Sequence, residues 1–461
     1  MNALRRFFRI DEAGSSVSTE LVAGLSTFLT MSYIVFVNPA ILSDSAGAGM
    51  DFGAVMIATC LASAAACLAM GLLANYPIAL APGMGHNAIF SFVICGAMGF
   101  TWQQALAATF VSGCLFLVLC AVPFREKVLE LIPESLRQAI GAGIGLLIAL
   151  VGLEYAGIVI GKAPTYVTLG NLQQPATLVA ISGLVVTLVL MARRFRGAIL
   201  AGVVTAAAVG YATGVFAFTG LEWSLPKASA AGSFVSGFGH LLDNPMDLVS
   251  ILFVLFFLDL FDTVGTLAGV TSRAGLMKDG KLPRARWAFF SDAFGTVTGA
   301  ALGTSTVTSY IESGAGIQAG GRTGLANMMT AGLFLLTVAA LPVVKLVAVS
   351  TPVEYTYGFV DGAPQVFTAF LYPTIAPALI VVGAMMMQNV VRIDWEDPTE
   401  YLPAFLTLLI MPVAFSITDG IAFGFVAMSL LKIATGRWRD VHWTFHLISL
   451  LFVARFVWLT A

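Results

Sequence analysis

Fourteen apolar runs, each long enough to cross a bilayer or to half-cross it as a broken helix, follow one another along this chain. They lie near 19–42, 52–75, 77–95, 102–123, 134–155, 175–192, 196–216, 247–270, 286–302, 304–319, 322–342, 372–392, 401–417 and 419–435. A helix needs about twenty apolar residues to span hydrocarbon. Together the runs make a chain of 461 residues that is 58% hydrophobic and 10% charged. That is more apolar surface than a soluble domain can cover. The expected fold class is an all-α polytopic membrane protein, with the lipid bilayer as its first partner. A net charge of −2 argues against nucleic acid. A final apolar stretch, 443–459, contains Trp443, Arg455 and Trp458, residue types that favour the headgroup level, and is read as an interfacial helix.

Charge tests this layout. With a cytoplasmic N-terminus and fourteen crossings, all but Lys162, Lys227 and Lys345 of the 23 Lys and Arg residues fall on the cytoplasmic side. Positive residues are retained there during insertion, so the asymmetry supports an even crossing number and two cytoplasmic termini. Arg5, Arg6 and Arg9 precede a polar stretch from Asp11 to Glu20, not the short apolar core of a cleavable signal. The five cysteines sit in apolar segments without CxxC spacing and read as small core residues. His442 and His446 read as an interfacial helix end, not a metal site.

Fourteen segments suggest two sets of seven related by an inverted repeat. The third and tenth are interrupted at matching places. The third reads Pro77-Ile-Ala-Leu-Ala-Pro-Gly-Met-Gly-His-Asn-Ala-Ile89, and the tenth contains Gly303-Thr-Ser-Thr-Val-Thr-Ser-Tyr-Ile-Glu-Ser-Gly-Ala-Gly316. The first half of the latter is β-branched and hydroxylated and favours extended backbone; its second half can start a helix. Unpaired backbone is not tolerated in lipid, so such chain must be wrapped in protein or line a cavity. Transporters place substrate sites at broken helices of this kind. The polar excursions 217–246, 271–285 and 344–371 are expected to be loops or surface helices.

Three acids in these apolar segments stand out. In the eighth, Asp259, Asp262, Thr266 and Gly269 share one helix face. Intramembrane acids are costly, so they should face the bundle interior and serve function. Of the two, Asp262 is the better candidate for a hydrogen-bonding clamp between helices. Glu312, followed by Ser313, falls at the expected start of a half-helix, where free N–H groups and the dipole stabilise a carboxylate. Asn87 occupies the corresponding place in the third segment, beside His86, which could carry a proton. Phe90, Phe256, Phe257 and Phe261 could stack on a planar ligand or simply pack. Carboxylates and an amide with few buried cations suit a neutral solute rich in N–H donors, such as a purine base. No metal or other cofactor is expected; the acids could instead bind a driving H⁺ or Na⁺. No HExxH, GxSxG or paired-histidine constellation lies in a membrane segment, so an enzyme is not expected.

The runs Phe257-Leu-Asp-Leu-Phe-Asp-Thr-Val-Gly-Thr-Leu267, Gly303-Thr-Ser-Thr-Val-Thr-Ser-Tyr-Ile-Glu312, Gly320-Gly-Arg-Thr-Gly324 and Ala81-Pro-Gly-Met-Gly-His-Asn-Ala88, with Pro283 and Arg284, resemble the adenine/guanine/hypoxanthine permeases, the AzgA-like branch of the nucleobase–cation symporters. The resemblance extends over essentially the whole chain. It implies a core domain of residues 1–123 and 247–343, a gate domain of 124–246 and 344–435, and a tail of 436–461. It implies import of adenine, guanine or hypoxanthine across the inner membrane, coupled to protons, by movement of the core against the gate. Carried over residue by residue, the substrate contacts fall on Asp259, Glu312 and Asn87, with Asp262 supporting; Thr266, Ser313 and His86 are further candidates beside them. The chain departs from the family pattern at His86, where an apolar residue is common, and at Ile89, where an aromatic is common. Carriers of this architecture are often homodimers through the gate. Another nucleobase such as uracil or xanthine, or a small anion on the same architecture, is the alternative cargo.

Overall fold

The computed structural model describes residues 2–45, 47–120, 133–162, 166–218, 220, 230–241, 245–273, 276, 282–360 and 363–458. Parts of the connections expected at 124–137, 217–246 and 271–285, Lys227 among them, lie outside the described residues, as do the side chains of Phe257, Phe261, Arg455 and Trp458.

A short α1 (Asn2–Phe8) precedes the first apolar run, which forms two helices, α2 (Val17–Met31) and α3 (Ile34–Ser43). Ser16 starts α2 by accepting the Thr19 N–H at 3.1 Å. Asp51 does the same for α4 (Phe52–Ala69), taking the Ala54 N–H at 2.7 Å. A π-helical turn, Met70–Ala74, then leads to Asn75 in the left-handed region. The third run is β1 (Leu80–Pro82), α5 (Met84–Ala88) and a π-helical stretch, Ile89–Ala97. There follow α6 (Trp102–Leu119), α7 (Glu134–Tyr155), a hairpin of β2 (Val159–Lys162) and β3 (Tyr166–Leu169), then α8 (Pro175–Ala192), α9 (Ala198–Ala212) and α10 (Phe234–Leu241).

The second half opens with α11 (Pro245–Arg273) and α12 (Ala285–Leu302). The tenth run is β4 (Val307–Ser309) and α13 (Ser313–Gln318). The eleventh is α14 (Leu325–Val338), which turns by 80° into α15 (Leu341–Val347). A long hairpin of β5 (Thr351–Val360) and β6 (Ala363–Leu371) precedes α16 (Ala376–Met386), α17 (Pro398–Val413), α18 (Ile417–Ala434) and α19 (Trp443–Trp458). Among the described residues, six helical stretches are long and apolar enough to cross a membrane, or seven if the bent pair is one span. Of the other expected spans, α11 has 29 residues and α12 has 18, and the rest are shorter or broken.

The β5–β6 hairpin corrects the expectation of loop or surface helix at 344–371. Its register runs from Thr351↔Leu371 to Val360↔Ala363. The cause is a period-two pattern: Val353 and Tyr355 turn inward onto Ala176 and Leu371, while Glu354 and Thr356 face out.

The chain packs as two compact units, Met1–Leu117 with Val151–Leu379, and Val118–Leu150 with Ile380–Ala461. In the first, α4 is central and α3, α12 and α14 pack on it. Its Gly, Ala, Ser and Cys side chains permit this, because helices in lipid gain contact through close backbone approach. At Gly24 on α2 the approach to α14 is so close that a Cβ would overlap the Ala326 carbonyl. In the second unit α17 and α18 pair, with Lys432 buried against Glu400 at 2.6 Å. Helix α19 stacks Phe445 on Phe425 of α18, ring centroids 4.5 Å apart, and leaves Trp443 and Leu450 exposed. His446 is bonded to Ser429 and the Trp438 carbonyl.

Candidate substrate site at the paired interrupted spans

The two interrupted segments meet. Strands β1 and β4 form an antiparallel pair with register Leu80↔Ser309, Ala81↔Thr308 and Pro82↔Val307. Two further bonds extend it, Gly83 N–H to the Thr306 carbonyl and Tyr310 N–H to the Ala79 carbonyl, both 2.9 Å. Extended backbone in hydrocarbon needs partners for the groups the ladder leaves over, and surrounding side chains provide them. Ser313 Oγ accepts the Ala79 N–H at 2.9 Å, and Cys67 Sγ the Leu80 N–H at 3.2 Å. Asn327 donates to the Tyr76 and Ile78 carbonyls, Thr296 to that of Val307, and Tyr310 to that of Pro82. Beneath the pair lies an apolar cluster including Ala66, Met70, Ile78, Leu80, Val307 and Ile317.

Around this ladder the structure gathers the expected acids. Asp259 on α11 is buried; its Oδ2 accepts from Thr296 at 3.4 Å, and its Oδ1 lies 4.0 Å from His86 Nε2. Asp262, one turn on, is a third exposed, with Oδ2 3.9 Å from His86 Nδ1. Glu312, just before α13, accepts a 2.6 Å bond from the Tyr33 hydroxyl. Asp292 and Glu312 lie within electrostatic reach of Asp262, and Tyr310 of both Asp262 and Glu312. Asn87 is fully buried; its Oδ1 accepts from Ser305, while among the described residues its Nδ2 meets the Met84 sulfur, at 4.0 Å. Thr266 is partly buried on α11, and Ser313 is occupied with the β1 backbone. Phe90 is buried, and Phe256 packs edge-on against Phe116 at 5.8 Å.

The clamp between helices is made by a residue the sequence reading passed over. Asp292 of α12 accepts from Thr263 at 2.6 Å, from the Ser309 N–H at 3.1 Å and from the Ser309 hydroxyl at 3.2 Å. Asp292 thus bonds across elements as a clamp does; Asp262, which also bonds Thr308, is the more accessible of the α11 pair. Glu20 was also passed over; it accepts the Arg322 and Thr323 N–H groups and so fixes the Gly320–Gly324 turn. Both carried the signal applied to Asp259, an acid within an apolar run. Tyr33 and Tyr310 had no such signal.

Chemically the site presents carboxylates, a carboxamide, an imidazole and hydroxyls, with one carboxylate open to water. It is an acceptor-rich surface suited to a neutral donor.

Residues 18–354 match the Permease family. The chain is 39% identical over 459 residues to the adenine permease AdeP of Escherichia coli, spanning 99% of this chain and 97% of that one. It is 39% identical over 464 residues to the guanine/hypoxanthine permease PbuG of Bacillus subtilis, spanning 99% and 100%. These relatives are transporters, not enzymes. Among solved structures, the transmembrane domain of the cyanobacterial bicarbonate transporter BicA superposes with a TM-score of 0.62 at 13% identity, covering 88% of this chain and 96% of that one.

Proposed function

Since this chain belongs to the Permease family and is a multi-pass membrane transporter of the nucleobase permease kind, we propose that its cargo is a purine base, adenine, guanine or hypoxanthine, imported across the inner membrane by proton symport. The observation that carries the reading is the Asp262 carboxylate, open to water within an otherwise sealed group of Asp259, Glu312 and Asn87. A purine edge offers adjacent N–H donors that one carboxylate can accept side by side, each charge-assisted bond contributing about 1.5–3 kcal/mol. Glu312 and Asn87 grip other edges, one from each interrupted span, and Asp259 supports from behind. Thr266 lies one turn beyond Asp262, and Ser313 holds the ladder on which the site rests. Buried acids that take up a proton supply the coupling.

In this reading the fourteen segments are an inverted seven-plus-seven repeat, both termini are cytoplasmic, and a core of 1–123 and 247–343 moves against a gate of 124–246 and 344–435, through which two copies pair. The compact units draw the line elsewhere, placing 151–246 and 344–379 with the first. An anionic cargo is disfavoured by the acids, although the fold is shared with a bicarbonate carrier.

The test is uptake of labelled adenine, guanine, hypoxanthine and uracil in a transport-null cell, with and without a protonophore. Accumulation of purines that the protonophore abolishes is expected. Uptake blind to purines but responsive to bicarbonate would overturn the reading. Asp262→Asn and Glu312→Gln should each cut uptake at least tenfold, about 1.4 kcal/mol, with expression intact. Asn87→Ala should reorder the competing bases more than it lowers maximal rate.

A further inference from the structure

His86 is the one site residue whose bonding is unresolved in the arrangement just described. Its ring is buried, and neither nitrogen has a hydrogen-bond partner among the described residues. Each nitrogen instead faces a carboxylate across a gap too wide for a hydrogen bond, Nε2 to Asp259 at 4.0 Å and Nδ1 to Asp262 at 3.9 Å. A neutral imidazole carries one N–H and one lone pair. Whichever tautomer forms, one of the two acids looks at a lone pair. Only the doubly protonated ring offers a donor to both.

We propose that His86 is a positioning residue for the substrate site: its imidazole takes up a proton between Asp259 and Asp262 and, once charged, draws the Asp262 carboxylate away from the ligand. The proton arrives from water at Asp262, the exposed member. The acids facing the ring come from α11 as Asp259 and Asp262. Asp292 of α12 and Glu312 before α13 lie within reach of Asp262, with Tyr310 beside them and Tyr33 on Glu312. Gly83 lies so near the ring that a Cβ there would meet Nδ1 at 2.5 Å. Every charged group named is an acid and favours the imidazolium, against the cost of burying its charge. Charged, His86 competes with substrate N–H groups for Asp262 Oδ2, and affinity falls as pH falls.

The inference rests on the purine reading and is tested by direct binding of labelled hypoxanthine and adenine to the purified full chain in detergent, which removes any gradient. With the flanking carboxylates outweighing the cost of burying the charge, Kd is expected to rise several-fold from pH 7.5 to pH 5.5. His86→Leu and His86→Gln should flatten the rise to less than about twofold on the same scale; the Gln variant keeps a polar, neutral side chain should the Leu variant fail to fold. A wild-type Kd that does not change, or the same rise in both variants, overturns the inference while leaving the purine reading intact. A wild-type chain that binds no purine at either pH overturns the reading and this inference with it.

Discussion

Asp292→Ala should unmake the ladder that carries the site. The carboxylate holds three donors, Thr263 Oγ1, Ser309 N–H and Ser309 Oγ, and is fully buried. Truncation strands the Ser309 N–H inside β4, at about 1–3 kcal/mol for a buried donor left unmade. The two hydroxyls can turn, and Thr263 already lies 3.2 Å from Thr308 Oγ1, so they add less. With the void left by the carboxylate, the loss should be about 3–5 kcal/mol. Domains of a few hundred residues lose about 2–4 °C of melting temperature per kcal/mol, which puts the shift near 10 °C. Asp292→Asn keeps an acceptor for the Ser309 N–H and should lose about 1–2 kcal/mol. The assay is thermal unfolding of the purified chain in detergent, with Asp262→Asn alongside. Asp262 is a third exposed, so that variant should melt like the wild type while its uptake collapses. If Asp292→Ala melts like the wild type, or Asp262→Asn melts as low as Asp292→Ala, the division between clamp and contact is wrong.

Tyr33→Phe removes the 2.6 Å bond to Glu312 without changing shape; the freed carboxylate should raise the purine KM several-fold with maximal rate little altered, measured by uptake kinetics. Lys432→Ala strands Glu400 in a buried pair and should cost about 3–5 kcal/mol, whereas the double change Lys432→Met with Glu400→Leu should cost less; melting curves of the three proteins decide it. Burial would raise the Asp397 carboxyl, but the Arg437 bond and the Thr399 contacts outweigh it and hold the group at about 2. A depressed folded value means stabilisation present above the unfolded value of about 3.9 and lost as pH falls toward 2. Arg437→Ala should therefore melt slightly below wild type at pH 7, the pair being so exposed, and the difference should narrow below about pH 4; a gap that widens in acid refutes the assignment.

How much of this was legible in the sequence depends on whether the cause was local. The extended halves of the third and tenth runs were readable because Pro82, Gly83 and the Thr/Ser/Val alternation at 304–309 disfavour helix by themselves. That the two halves pair with each other was not, since register is a long-range property. Asp292 and Glu20 obeyed the same rule as Asp259 yet escaped it, because each is a lone acid in its run without the paired spacing of Asp259 and Asp262. That Asp259 is buried and Asp262 a third exposed depends on how α11 packs, and spacing of i and i+3 leaves both on one face. The β5–β6 hairpin was locally legible, through the alternation of Val353 and Tyr355 with Glu354 and Thr356, and was hidden only by the expectation that polar excursions are loops.

The bonds that satisfy the ladder also bear on how the site can move. Asn327 of α14 holds the chain entering β1, Asp292 and Thr296 of α12 hold β4, Cys67 of α4 holds Leu80, and Glu20 of α2 holds the turn before α14. To swing β1 or β4 alone through hydrocarbon would leave several backbone groups unpaired at once, each at about 1–3 kcal/mol. A motion costing that much is slower than one that keeps every bond. For the proposed transport cycle, the low-cost route to alternate access therefore moves α2, α4, α11, α12 and α14 together with both strands, Thr263 of α11 being bonded to Asp292, and carries Asp262, Glu312 and Asn87 as a fixed constellation. Cross-links between α14 and the β1 entry, such as a cysteine pair at positions 327 and 78, test it: uptake that survives oxidation fits a rigid body, and uptake that stops shows the strands must part.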